Sequence, residues 1–177
     1  MDADQSSYAV REANWRLCTK AGNQEMQQHR YAEAQRIYKQ ALTIAESLLA
    51  EAKFNPKHPD AIHPYVVSHN NLMDAYVSLN QIELAETTLQ QVYTTVVAMM
   101  NNQSLPSKLR LESFKALKIV ASEMYRFYRD LNQITKAEAL FAQITQQAQS
   151  FLAEFDFTSL EELQPDQSVH SRYSLPD

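Results

Sequence analysis

Five histidines are the side chains in this 177-residue sequence with the most evident potential for metal binding. They are His29, His58, His63, His69 and His170. No two of them show the i, i+4 spacing with an intervening glutamate that zinc proteases use. We interpret His58 and His63, which flank a proline-rich segment, as loop residues. The sequence therefore predicts no metal site and no cofactor.

The single cysteine, Cys18, is the only candidate for a thiol nucleophile. It lies between Leu17 and Thr19 in helical sequence, where a buried, small hydrophobic role is usual. A catalytic thiol also needs a base within reach, and the neighbouring residues supply none. One glycine cannot build a phosphate-binding loop. We interpret Glu161 and Glu162 as helix-start charges, and we expect the protein not to be an enzyme.

Composition and charge favour an all-helical protein. Glycine occurs once and proline six times, and both residues are disfavoured in helix interiors. The formal charge is −5, and no run of Lys or Arg exceeds two, so we expect no nucleic-acid partner. The absence of a long apolar stretch and of a signal-peptide pattern predicts a cytoplasmic protein with no membrane partner.

Three similar segments recur along the chain. They begin at Tyr31, Ile82 and Ile134, with offsets of 51 and 52 residues. The second and third copies follow the same tripeptide, Leu-Asn-Gln, at 79–81 and 131–133. Asparagine tolerates the left-handed backbone of a tight turn. Each copy is therefore predicted to start a helix directly after such a turn.

Each copy carries an apolar stripe with a small alanine in it. The stripes are Tyr31/Ala34/Tyr38/Ala41, Ile82/Ala85/Leu89/Val92 and Ile134/Ala137/Phe141/Ile144. This spacing places the four residues on one helical face, and the alanine allows a neighbouring helix to approach closely. Another apolar-periodic helix precedes each copy. The repeating unit is therefore predicted to be helix, turn, helix.

These patterns predict six long helices and divide the chain into two segments, a helical repeat domain and a C-terminal tail. The helices are expected at 8–27, 31–53, 63–79, 82–100, 106–131 and 134–155. They form hairpins at about 8–53, 63–100 and 106–155, within a helical repeat domain at 1–157. Residues 158–177 are predicted to form a short capping turn and then an extended or disordered tail, because residues 158–161 fit a capping box.

The repeats resemble the tetratricopeptide family. Matching residues in the first copy are Gly22, Tyr31, Ala34, Tyr38, Ala41 and Leu42; in the second Leu72, Tyr76, Ala85 and Leu89; in the third Met124, Tyr128, Ala137 and Phe141. The period is longer than the usual one of about 34 residues. Residues 58–62 and 68–72 look like the longer repeats of kinesin-light-chain type. The resemblance implies an α-solenoid of three antiparallel helical hairpins.

The resemblance also implies a groove, lined by the first helix of each hairpin, that receives a partner polypeptide. Its groove positions correspond to Arg16, Thr19, Asn23, Met26, Val67, Asn70, Asn71, Asp74, Ile119, Ser122, Arg126 and Arg129. The alternative is that these residues are only the polar face of solvated helices. The family's clamp for chaperone C-termini matches at Asn23 and Asn71. Thr19, Ile119 and Glu123 stand at its cationic positions, so binding of such a tail is not expected.

Two segments allow both a structural and a functional interpretation. Residues 124–129 mix aromatic side chains with arginines, and we interpret them either as core aromatics with an exposed basic edge or as a binding hot spot. Residues 168–175 either have no role or occupy the groove of their own or a second molecule. For residues 124–129 the structural interpretation is preferred, and for residues 168–175 the absence of a role is preferred.

The sequence thus predicts a protein-interaction adaptor, with Asn23, Asn70, Asp74, Arg126 and Arg129 as contact candidates. One alternative is a chaperone of the small tetratricopeptide kind found in bacterial secretion. Another, of a different class, is a small-ligand sensor or an enzyme with a pocket between hairpins. Homo-oligomerisation through the terminal helices is a further prediction, since an open array leaves their apolar faces uncovered.

Overall fold

The computed structural model describes residues 3–158, with side chains from residue 7 onward, and this part of the chain is all-α without a strand. The helices are α1 (Ala3–Gln27), α2 (Tyr31–Ala52), α3 (Ile62–Ser78), α4 (Ile82–Asn101), α5 (Ser107–Asp130) and α6 (Ile134–Glu154). A 3₁₀ helix, Pro59–Ala61, precedes α3. All six predicted helices are confirmed, and α1 starts earlier than expected. The predicted tail from residue 164, and all but the first residue of the capping turn, lie outside the described residues.

Proline placement explains several helix boundaries. Pro106 lies at the N-cap of α5, and Pro59 begins the 3₁₀ helix. Pro64 lies in the first turn of α3, where its missing N–H would have no intrahelical acceptor. Pro56 lies in the loop after α2. None of these four prolines therefore interrupts a helix interior.

The turn between the two helices of each hairpin has the same geometry in all three copies. The left-handed residues are His29, Asn80 and Asn132, with φ of 58°, 56° and 57°. In each turn the next residue donates its N–H to a carbonyl five residues back, at 2.9, 2.8 and 2.8 Å. This is the Schellman arrangement that closes a helix C-terminus. The predicted left-handed role of the two asparagines is confirmed, and His29 takes it in the first copy.

Buried alanines allow the two helices of each hairpin to approach closely. Ala34, Ala85 and Ala137 are 0%, 0% and 1% exposed. Each donates its backbone N–H to the residue that follows the left-handed one. Turn and alanine together fix the start of the second helix in the same way three times. The copies are therefore alike in local structure as well as in sequence.

Gly22 provides a further close approach in the first hairpin. A Cβ atom at this position would lie 2.6 Å from Cδ1 of Tyr38, closer than carbon atoms can pack. The Tyr38 hydroxyl donates a hydrogen bond to Asn23 Oδ1 at 2.7 Å, which holds the ring over the glycine. The one glycine of the sequence thus lies where a helix must accept an aromatic ring.

The helices pack mainly in chain order. Each contacts the next one along the chain, so α2 packs on α3 and α4 on α5 in addition to the contacts within each hairpin. The first helices of the second and third hairpins, α3 and α5, also contact each other. Trp15 Nε1 donates to Ser68 Oγ at 2.8 Å and joins α1 to α3. The core is therefore continuous across all three hairpins.

Equivalent positions in the three copies differ in burial. Tyr38 and Leu89 are 3% and 0% exposed, whereas Phe141 at the equivalent position is 63% exposed, and Ile134 is 44% exposed. A following hairpin covers the first two, whereas α6 is the last helix of the described chain. Cys18 is half-buried rather than buried.

Replacing Asn80 with alanine should lower the free energy of unfolding by about 1 kcal/mol, because a Cβ without a local hydrogen bond disfavours the left-handed backbone. Asn80→Gly is the matched control and should stay close to the natural chain, since glycine adopts this conformation freely. Urea denaturation measures both. Equal stability of the alanine and glycine variants would contradict the role given to this turn.

Gly22→Ala should destabilise the protein by about 1–3 kcal/mol, because overpacking against the Tyr38 ring outweighs the better helix propensity of alanine. In a Tyr38→Ala background the sign should reverse, since the ring is absent and propensity alone acts. The two pairs of thermal or urea unfolding curves form a double-mutant cycle. Destabilisation of the same size in both backgrounds would show that the ring is not the cause.

Candidate functional site

The predicted groove residues on α1 differ in exposure. Arg16 is exposed and pairs with a glutamate one turn earlier at 2.5 Å. Asn23 is exposed and accepts the hydrogen bond from Tyr38. Met26 packs partly against the core. The Thr19 hydroxyl oxygen is buried and has no hydrogen-bond partner among the described residues. Of these four residues, Arg16 and Asn23 are thus the ones that a partner can reach most easily.

On α3 the predicted residues are more enclosed. Val67, Asn70, Asn71 and Asp74 are all half-buried. Asn70 Oδ1 is buried and, within residues 3–158, accepts no hydrogen bond. This oxygen therefore faces the helix packing instead of open solvent. Asp74 is the member of this set whose side chain reaches another helix.

An ion pair joins Asp74 to the first helix of the next hairpin. Arg126 Nη2 on α5 donates to Asp74 Oδ1 at 2.9 Å and to Glu123 Oε2 at 2.5 Å. The hydrogen bond to Asp74, helped by the one to Glu123, raises the pKa of the guanidinium above its ordinary value. Two residues that the sequence placed on one face, 52 positions apart, are thus in direct contact.

The remaining predicted groove residues on α5 are exposed. Arg129 pairs with the adjacent Asp130 at 3.1 Å, Ile119 is 43% exposed, and Ser122 is open to solvent. Arg126 and Asp130 line a cavity of about 170 Å³ between the second and third hairpins. We define the groove face as the twelve predicted residues of α1, α3 and α5. It is mixed in charge, and only the Asp74–Arg126 contact connects its members by an ion pair.

The aromatic and basic segment 124–129 divides by burial. Met124, Phe127 and Tyr128 are 0%, 5% and 1% exposed, whereas Tyr125 is 43% exposed. Both arginines of the segment lie at the surface. The interpretation as core aromatics with an exposed basic edge is confirmed for Phe127, Tyr128 and the two arginines, but not for Tyr125. The alternative, a binding hot spot, stays a prediction for the exposed edge.

A polar cluster that the sequence did not reveal joins the second and third hairpins. The Tyr128 hydroxyl donates to Glu86 Oε1 at 3.0 Å and accepts from Gln90 Nε2 at 2.7 Å. Lys136 pairs with the same glutamate and lies over the Tyr128 ring, 4.5 Å from its centroid. The hydrogen bond from Lys136 is the main cause that lowers the pKa of Glu86. No sequence spacing signals contacts between residues so far apart in the chain.

An apolar cavity of about 550 Å³ opens between α5 and α6. Its lining consists of Lys118, Ala121, Ser122, Tyr125, Glu138 and Phe141. Ser122 is the only one of these that was predicted as a groove residue. For the other five lining residues, the sequence feature that could have indicated the cavity is that Phe141 belongs to the last copy. Its apolar stripe has no following hairpin to cover it.

Two of the histidines, His63 and His69, are used in pairing and packing. His63 was expected to be a loop residue, and this is wrong, because it lies in the first turn of α3. Its Nε2 is 3.0 Å from Glu112 Oε2 on α5. His69 is fully buried, and its Nδ1 is 3.0 Å from the Tyr65 carbonyl oxygen. Burial lowers the pKa of His69. Within residues 3–158 no three His, Cys, Asp or Glu side chains are grouped as metal ligands.

A protein-family model matches residues 13–158, from within α1 to just beyond α6. Its description is protein of unknown function (DUF2753). The chain belongs to this family. The match includes all three turns and all three buried alanines, so the hairpins described above lie within the family's domain except for residues 3–12 of α1. No match was found among curated proteins or among solved structures. No helix of the described chain has the length and hydropathy of a membrane span.

Acidification should destabilise the fold through His69. Because burial holds its pKa below the ordinary value, the unfolded chain binds a proton below about pH 6.5 that the folded chain does not. Stability should therefore fall as the pH drops below that value. In His69→Gln the difference in unfolding free energy between pH 7.5 and pH 5.5 should be smaller. An identical difference in both proteins would refute this assignment.

Proposed function

We propose that this chain is a short α-solenoid of the tetratricopeptide kind whose groove face binds a partner polypeptide. The observation that carries the proposal is the threefold repetition of one hairpin, with the same left-handed turn and the same buried alanine. Hairpins packed in chain order place their first helices side by side, as the α3–α5 contact and the Trp15–Ser68 hydrogen bond illustrate. Side-by-side helices form an extended surface suited to a peptide or a helix.

The chemistry of the groove face favours a polypeptide ligand. Asn23 offers an amide, Asp74 and Arg126 offer opposite charges, and Ile119 offers an exposed apolar side chain. Such a mixture can recognise backbone groups and side chains of either charge. A catalytic role would require an activated nucleophile or an acid–base pair, and neither role is assigned to a residue of the groove face. The mode of action is binding.

The residues at the clamp positions decide whether the groove face can bind the C-terminus of a partner. Thr19, Ile119 and Glu123 stand where the family's carboxylate clamp has cations. Thr19 and Ile119 are uncharged and Glu123 is negative, so none of the three can supply a positive counter-charge for a terminal carboxylate. We therefore propose that the partner contributes an internal segment. If that segment belongs to a translocated substrate, the chain acts as a chaperone of the secretion type.

Affinity purification from the native host with quantitative mass spectrometry tests the proposal. Replacing Arg126 and Arg129 with alanine should reduce capture of the principal partner by about tenfold or more, because interface arginines contribute disproportionately to binding. Arg36→Ala is the matched control, since Arg36 is an equally exposed arginine of α2, outside the groove face. Circular dichroism should show unchanged helicity in both variants.

Equal recovery of the partner with the Arg126/Arg129 variant and the natural chain would refute the groove face as the binding surface. Loss of capture with Arg36→Ala to the same degree would show a general charge effect instead. The proposal is supported only if the two variants differ.

A further inference from the structure

Equivalent positions on the second helices differ sharply in exposure. The stripes run Tyr38/Leu42/Ala45/Leu49 on α2, Leu89/Tyr93/Val96/Met100 on α4 and Phe141/Thr145/Ala148/Leu152 on α6. Every member on α4 is buried, and on α2 only Leu42 is partly exposed. On α6, Phe141 and Leu152 are 63% and 51% exposed. The α6 stripe thus corresponds to a surface that another helix covers in both earlier copies.

The exposed side of α6 also lacks charge. Residues 139–153 contain no Asp, Glu, Lys, Arg or His, although 21% of the whole sequence is charged. About three charges would be expected over that length. Solvated helix faces normally carry charges, whereas the centres of homodimer interfaces are depleted of them. The composition of α6 therefore resembles that of a covered helix.

The lining of the cavity in this surface contains one charge of each sign. Lys118 on α5 and Glu138 on α6 both line the 550 Å³ cavity beside Phe141. Neither forms an ion pair with another described residue. A two-fold axis lying in the plane of the surface and bisecting the line between them brings each Lys118 to the Glu138 of a second copy. The surface is therefore electrostatically complementary to itself.

We propose that the α5–α6 end face is the interface of a homodimer with two-fold symmetry. The end face consists of the α6 stripe together with Lys118, Ala121, Tyr125 and Glu138. Phe141 and Tyr125 of each copy fill the cavity of the other, and two Lys118–Glu138 pairs form between the copies. Aromatic side chains seated in apolar pockets are the usual energetic centre of such interfaces.

The dimensions of the end face suit this assignment. A helix of 21 residues is about 31 Å long. With the adjoining edge of α5 the face is roughly two helix diameters wide, which gives on the order of 600 Å² in projection. Stable interfaces bury about 800 Å² of accessible surface per partner, and a ridged surface exceeds its projection. The end face therefore has enough area for a stable dimer.

The charge balance favours a second copy over the C-terminal segment of the same chain. Residues 159–177 contain four acidic residues and one arginine. Bound at the end face, this segment would bring net negative charge to Glu138. A second copy meets the charges of Lys118 and Glu138 with their opposites. The end face adjoins the groove face of the proposed function at Ser122, which lines the same cavity. The two proposals are tested through different residues, Phe141 for the end face and Arg126 with Arg129 for the groove face.

Sedimentation equilibrium of the full chain over a range of concentrations tests the dimer. The natural chain should be dimeric at micromolar concentration, and Phe141→Glu should weaken the dimer by about a hundredfold or more. Leu17→Glu is the matched control, because Leu17 is an equally exposed leucine on α1 at the other end of the array. It should leave the dimer intact. Unchanged circular dichroism should confirm that the variants fold.

A charge exchange tests the symmetry. Lys118→Glu should weaken the dimer by about tenfold or more, since two like-charged pairs would face each other. Adding Glu138→Lys to the same chain should restore the dimer, because the exchanged charges again meet their opposites. Failure of the double variant to regain affinity would overturn the two-fold arrangement.

Three other outcomes would overturn the proposal. A natural chain that is monomeric at all concentrations would show that the end face is open or is covered by residues 159–177. Loss of the dimer in Leu17→Glu but not in Phe141→Glu would place the interface between the α1 helices of the two copies. Further growth of the assembly beyond two copies would exclude a closed two-fold interface.

Discussion

The close approach of two helices within each hairpin is the constraint on which the rest of the structure depends. It requires a small side chain at the crossing, and Ala34, Ala85 and Ala137 provide one in every copy. It also requires a chain reversal in very few residues, which a left-handed residue supplies in each turn. Larger residues at the crossing would separate the helices. The apolar stripes would then no longer meet the following hairpin.

Spacing within the sequence was enough to predict the helices and turns. Apolar residues at helical intervals located α1 to α6, and the repeated Leu-Asn-Gln located two left-handed turns. The contacts between hairpins could not be predicted in the same way. The Arg126–Asp74 and Lys136–Glu86 pairs join residues about 50 positions apart, and only the packing of the folded chain brings them together. The apolar stripe of Phe141 matches that of Tyr38 in sequence, and the spacing alone does not show that Phe141 is exposed.

The groove face and the end face differ in chemistry because they differ in position within the array. The groove face spans the first helices of all three hairpins and presents amides and both kinds of charge. The end face belongs to the last hairpin and presents aromatic and aliphatic side chains with almost no charge. A repeat interior to the array has no such face, since its neighbours cover it on both sides. The membership in DUF2753 applies to the hairpins that form both surfaces.

Packing in chain order also has a consequence for biosynthesis. Because each helix contacts mainly its immediate neighbours, most stabilising contacts join residues that are close in the sequence, and such topologies fold quickly. Contacts within the first hairpin can therefore form while the ribosome is still adding the second, and each later hairpin covers the one before it. Apolar residues near the N-terminus can therefore be buried before the C-terminal residues have been synthesised.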